Sequence, residues 1–195
     1  MSKIARQWLE LDWDVPSGLK SSHIPYSSTQ SIEDKLNSLQ TTVKNYMIIK
    51  DVKNNNIAGG TFTNGAWRTR DLNTVDTNNI NGASLNTTNS RITLPSGEYD
   101  FFAQTPSYRV DVNQARFYNI TNDVAVLLGT TTYCANHNAG DLSLSFIYGG
   151  FTIEDTTIFE LQHICQTTRT TNGFGYGANF GENNIYSVVK IYKIG

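Results

Sequence analysis

Apolar and polar residues alternate with a period of two along most of the chain beyond residue 45. The alternation is clearest in two runs near the end. In Ile158–Cys165, Phe159 and Leu161 point one way while Glu160 and Gln162 point the other. In Ile185–Tyr192, Val189 and Ile191 alternate with Val188, Lys190 and Tyr192. β-Branched and aromatic residues at this period are expected in half-buried antiparallel strands. Further strands are predicted over Tyr46–Val52, Ala66–Leu72, Arg91–Leu94, Glu98–Gln104, Ala115–Ile120, Val124–Leu128 and Leu142–Ile153. Gly149 and Gly150 interrupt the last of these, which predicts a bulge or a hairpin corner. Turn chemistry separates the runs at Asn81-Gly82, Pro95–Gly97, Thr121–Asp123 and Asn138–Asp141. Many short strands with regular turns predict a β-sandwich of jelly-roll type, and no fixed-period repeat points to a propeller or β-helix.

The pattern changes to a helical one only over Ser31–Asn45. Ser31 is a candidate N-cap with Asp34 three positions on. Ile32, Leu36, Leu39 and Val43 are spaced four, three, four, which is a seam of period 3.5. Two heptads are too short to stand alone, so the seam either self-associates as a short stalk or packs on the β domain. Before it, Trp8, Leu9, Leu11 and Trp13 form an apolar cluster among Glu10, Asp12 and Asp14. This segment either docks on another protein or folds back on its own domain. The expected organisation is an attachment peptide over residues 1–30, a stalk over 31–45 and a β head over 46–195.

Composition narrows the function. Of 195 residues, only 16% are charged and the net charge is −2, so no basic surface is available to neutralise nucleic-acid phosphates. No stretch approaches the roughly 18 apolar residues of a membrane span, and membrane insertion is not expected. The N-terminus lacks the apolar core of a secretory leader, so the chain is expected to be made and assembled in a cytosol. Cys134 and Cys165 are too few for a disulfide framework and are expected as buried free thiols. His23, His137 and His163 are scattered; His163 and Cys165 would share one strand face, but two ligands do not close a zinc site. No metal and no cofactor is expected. The glycines of Gly173–Ala178 precede no helical pattern, so they are expected to shape a loop, not to cradle a phosphate.

Four segments carry a resemblance. GGTFTNGAWRTRDLNT (Gly59–Thr74), LPSGEYDF (Leu94–Phe101), ARFYNIT (Ala115–Thr121) and FELQHICQTTRTTNGFGYGANFG (Phe159–Gly181) resemble a β domain of tailed-bacteriophage fibre proteins. That domain is similar to the trimeric jelly roll of tumour necrosis factor and complement globular heads. HIPYSSTQSIEDKLNSL (His23–Leu39) resembles the linker-helix element of phage tail proteins. The resemblance implies a homotrimer without a catalytic centre, built into a virion in the host cytoplasm and joined to other virion proteins through its N-terminus. It implies a small tail fibre or fibre tip that binds a host-surface glycan or protein. The alternatives are a capsid-decorating or fibre-connecting protein with no receptor. A cytokine-like ligand would share the fold, and a polysaccharide-degrading enzyme would release reducing ends.

The resemblance also places Tyr46–Val52, Ala115–Ile120, Ile158–Cys165 and Ile185–Tyr192 in one inner sheet. The alternation then puts Phe117, Phe159, Leu161, Val189 and Ile191 in the core. Arg116, Tyr118, Glu160, Gln162, Lys190 and Tyr192 fall on the opposite face as the expected trimer interface, with Arg116 near Glu160 across adjacent strands. Trp8, Leu9, Leu11 and Trp13 are the expected virion attachment. Asn136, Arg169, Asn172, Phe174 and Tyr176 are candidate receptor contacts on loops, set against the reading that Thr167–Tyr176 simply makes the fold.

Overall fold

A computed structural model describes residues 45–137 and 140–194. The Trp8–Trp13 cluster, the predicted helix up to Lys44, and Asn138 and Ala139 of one predicted turn lie outside the described residues. The described residues contain twelve strands: β1 (Tyr46–Lys53), β2 (Arg68–Thr69), β3 (Thr74–Asn78), β4 (Ser84–Asn86), β5 (Arg91–Leu94), β6 (Gly97–Tyr108), β7 (Asp111–Asn119), β8 (Val124–Leu128), β9 (Thr132–Cys134), β10 (Leu142–Ile153), β11 (Thr157–Cys165) and β12 (Asn184–Lys193). They form two antiparallel sheets. One has five strands in the order β10-β6-β12-β1-β3; the other has seven, ordered β4-β5-β11-β7-β8 with β2 on β11 and β9 on β7. The mainly β jelly-roll sandwich expected from the alternation is the observed fold.

The alternation also places the core. Met47, Ile49, Tyr99, Phe101, Val189 and Ile191 of the first sheet face Ile92, Phe117, Phe159 and Leu161 of the second, all buried. Aromatic rings fill the middle: Phe101 stacks on Phe117 at 4.2 Å and Phe117 on Phe159 at 4.6 Å between centroids. Such pairs add about 0.5–1.5 kcal/mol each beyond their burial.

Three expectations change. The four strands expected in one sheet are divided: β1 pairs with β12 in the five-stranded sheet, whereas β7 pairs with β11 in the other. Period-two patterning says which way a side chain points but not which strand lies alongside. Second, Gly149 and Gly150 make neither bulge nor corner. They pair in unbroken register with Phe101 and Asp100. A Cβ on Gly149 would lie 3.0 Å from Leu127 of the opposite sheet, so this glycine marks a close approach between layers. Third, β3 and β4 are short and mostly polar and β9 has only three residues, so none has the alternation that would have announced it.

The register defines two ends. Tyr46 pairs with Tyr192, and Asn45 accepts a backbone hydrogen bond from Lys193, so the chain enters the domain beside its last strand. Lys53 and Asn184 lie at the other, distal end, with the turn after Tyr108 and the loop after Cys165.

Candidate assembly face and binding surfaces

The outward face of the five-stranded sheet carries exposed aromatic and aliphatic side chains interspersed with Lys50, Asp100, Gln104 and Lys190. Register aligns Tyr148, Phe102, Lys190 and Ile48 in one row on β10, β6, β12 and β1. The row beside it holds Phe146, Gln104, Val188 and Lys50. Tyr148 is 70% exposed, Phe102 40% and Tyr192 38%. An apolar groove of about 340 Å³ opens between Phe102, Tyr148, Gly149 and Tyr192. Lys190 extends over the Tyr192 ring at 4.9 Å and covers part of this surface with its stem. Contiguous exposed aromatics on a sheet face mark an interaction surface. In Glu98–Gln104 and Leu142–Ile153 both faces carry aromatic or aliphatic residues. The alternation alone therefore does not say which side is the core.

The six expected interface residues do not share this face. Lys190 and Tyr192 lie on it. Arg116, Tyr118, Glu160 and Gln162 lie on the outward face of the seven-stranded sheet, across the sandwich, so the six are not one patch. Arg116 and Glu160 share a face as expected but are a step out of register: Arg116 pairs with Gln162, and Glu160 with Tyr118. Arg116 Nε donates to Gln162 Oε1 at 2.9 Å, and Gln162 Nε2 donates to Glu160 Oε2 at 2.8 Å. The ion pair expected with Arg116 belongs to Arg91, whose Nε lies 3.1 Å from Glu160 Oε1. Burial raises the Glu160 carboxyl. Hydrogen bonds from Gln162, Thr69 and Arg91 outweigh it and hold the group below its ordinary value. Arg116 itself lies between the rings of Trp67 and Tyr118, 4.1 and 4.0 Å from their centroids.

The candidate receptor residues all lie at the distal end, and most are built into it. Phe174 is 8% exposed, packed on Phe62 at 4.4 Å and lying under the Arg70 guanidinium at 4.1 Å. It is a core residue, and the expected contact to a receptor is corrected. Arg169 Nε donates to Asn172 Oδ1 at 2.9 Å, so these two hold each other. Asn136 donates through its backbone and side chain to the Asp111 carboxylate, at 3.0 and 2.7 Å, and Thr167 donates to it at 2.5 Å. The Thr167 hydrogen bond leads in holding the Asp111 carboxyl below its ordinary value. Tyr176 alone of the set stands out, 63% exposed.

Beneath these loops a small apolar cluster of Phe62, Val110, Phe174 and the two cysteines lies beside buried polar side chains. Arg70 is fully buried and donates to Ser187 Oγ at 2.9 Å and to the carbonyls of Pro106 and Phe174 at 3.1 Å. His163, also fully buried, bonds through Nε2 to Asn113 Oδ1 at 3.0 Å, and Asn113 continues to Ser143 and Ser107. Cys134 and Cys165 are free and buried, and burial pushes the Cys165 thiol up to about 12. A thiol so placed is not a nucleophile.

No protein-family model matches the chain, and no curated protein matches it. Among solved structures the chain is similar to the globular domain of zebrafish complement 1qA protein. The two share 11% identity at a TM-score of 0.50, over 78% of this chain and 98% of that one. At this identity the likeness establishes the fold, a jelly roll of the complement-head type. It bears on that half of the sequence resemblance and not on the bacteriophage half.

Proposed function

We propose that the chain is a non-enzymatic binding head that works as a homotrimer, the small tail fibre or fibre tip of a tailed bacteriophage. In this reading the N-terminal segment joins other virion proteins, assembly takes place in the host cytoplasm, and the distal end faces a host-surface receptor. The observation that carries it is the outward face of the five-stranded sheet. Phe102, Phe146, Tyr148, Val188, Tyr192 and Ile48 give this face the aromatic enrichment found at subunit contacts, with Lys50, Asp100 and Lys190 among them. Three copies meeting through these faces would leave the seven-stranded sheets and the distal loops outside. The virion assignment rests on the motif resemblance alone, including that of His23–Leu39 to a phage linker-helix element.

Analytical sedimentation of the purified chain tests the assembly. A trimer is expected at micromolar concentration. Phe102→Glu combined with Tyr148→Glu is expected to give a folded monomer, because both side chains are exposed in the single chain and would be buried only in the proposed trimer. A wild-type chain that stays monomeric sinks the proposal.

A further inference from the structure

The seven-stranded sheet carries an arginine whose hydrogen-bonding capacity is largely unspent. The rings of Trp67 and Tyr118 hold the Arg116 guanidinium from both sides, and Gln162 Oε1 accepts a hydrogen bond from its Nε. Among the described residues, neither terminal amino group has a hydrogen-bond partner and no carboxylate forms an ion pair with it. Other arginines are differently placed. Arg91 is matched to Glu160, Arg109 bonds the Asn136 carbonyl twice, and Arg68 bonds the carbonyls of Thr63 and Asn64. A guanidinium fixed before a ligand arrives loses little side-chain entropy on binding. Its planar fork fits a carboxylate or a phosphate. A phosphate calls for further cations, and Arg91, the other cation of this network, is already neutralised.

A groove of about 430 Å³ begins beside it. Gln114, whose Cα lies about 7 Å along β7 from that of Arg116, lines this groove with Val112, Thr131, Ile164 and Gln166. The floor is aliphatic and the rim carries amides and a hydroxyl. That combination suits a sugar ring, with an apolar C–H face and hydroxyl edges. It does not suit an extended peptide. Along the groove β7 is paired on both sides, by β11 and by β9, so its backbone offers no open edge for strand addition.

We propose that Arg116, held between Trp67 and Tyr118, and the adjoining groove of Val112, Gln114, Ile164 and Gln166 bind a carboxylate-bearing oligosaccharide. The acidic sugar's carboxylate sits on the Arg116 fork and a neighbouring ring lies in the groove. The site deepens the receptor-binding reading and rests on it only for the source of the sugar, a host-surface polysaccharide. It lies on the sheet that the proposed trimer leaves outside.

The test is a titration of the isotope-labelled full chain with oligogalacturonate and sialyllactose, against lactose and a tetraglutamate peptide. Both acidic sugars are expected to shift the Trp67 indole and Arg116 Nε resonances and the groove amides, and the two controls are not. Arg116→Lys keeps the charge but loses the fork and the stacking, and is expected to weaken binding about tenfold or more. Because Arg116 also supports Trp67, Ile164→Glu in the groove serves as a second variant, with the same loss expected at an unchanged melting temperature. The site is overturned by no binding at millimolar sugar, by equal binding of lactose or the peptide, or by shifts centred on the distal loops. Adsorption to host cells is measured separately. Sugar binding that Arg116→Lys abolishes while adsorption is unchanged keeps the site and rejects the receptor reading.

Discussion

His163 is a base kept from its proton. It is fully buried, with one ring nitrogen on Asn113 and the other, Nδ1, unpartnered among the described residues. Phe62 packs on the ring at 4.8 Å. Burial first, then the Arg70 charge, holds its pKa well below the ordinary 6.5. In the unfolded chain the imidazole takes up a proton near 6.5, but in the folded chain it does not. Between those two values the unfolded state binds more protons, so stability rises with pH there. The contribution is complete above about 6.5 and declines as the pH falls below it. Asp111 and Glu160, both held low, add their own losses only at more acid pH. Urea denaturation across pH 7 to 5 is expected to show this decline, and His163→Gln to flatten it. A wild-type midpoint constant over that interval would contradict the assignment.

The element that decides the distal end is the loop between β11 and β12. Its sequence offered two readings, a receptor contact or a piece of the fold, and the packing separates them residue by residue. A Cβ on Gly173 would lie 2.6 Å from the Phe62 Cβ, and one on Gly175, at φ +142°, would lie 2.3 Å from the Tyr186 ring. Between them Phe174 enters the core and its carbonyl accepts from Arg70. Phe174→Ala is therefore expected to cost about 3–5 kcal/mol. Tyr176→Ala, two residues on and exposed, should change stability by no more than about 0.5 kcal/mol. Guanidinium denaturation of the two variants measures both, and equal losses would show that the loop packs otherwise. Nothing in the run TTRTTNGFGY distinguishes its two aromatics, because an irregular loop has no period from which to read a face.

At the scale of the molecule the sandwich has a proximal end, where Asn45 meets Lys193, and a distal end, where the loops after Tyr108, Cys134 and Cys165 gather. The distal loops lie at the end of the sandwich opposite Asn45. Deletion of residues 1–26 is expected to leave a folded, soluble trimer that no longer enters virions. Circular dichroism and sedimentation read the first half of that outcome, and incorporation into particles reads the second. Loss of folding would place the segment within the domain.

The residues by themselves determined strands β1, β5, β8, β10, β11 and β12, and the inward positions Phe117, Phe159, Leu161, Val189 and Ile191. Burial of every second side chain is a local consequence of the pleat. The free cysteines followed as well, from their number. Only the tertiary structure decided strand order, because backbone pairing is blind to side-chain identity. It therefore took Arg116 and Glu160 to one sheet and Lys190 and Tyr192 to the other. It alone gave Glu160 to Arg91, 69 residues earlier in the chain. It also brought Trp67, outside any strand, onto Arg116 of β7. Contacts between residues so far apart depend on register and layer packing, and neither is written in the period of a single strand.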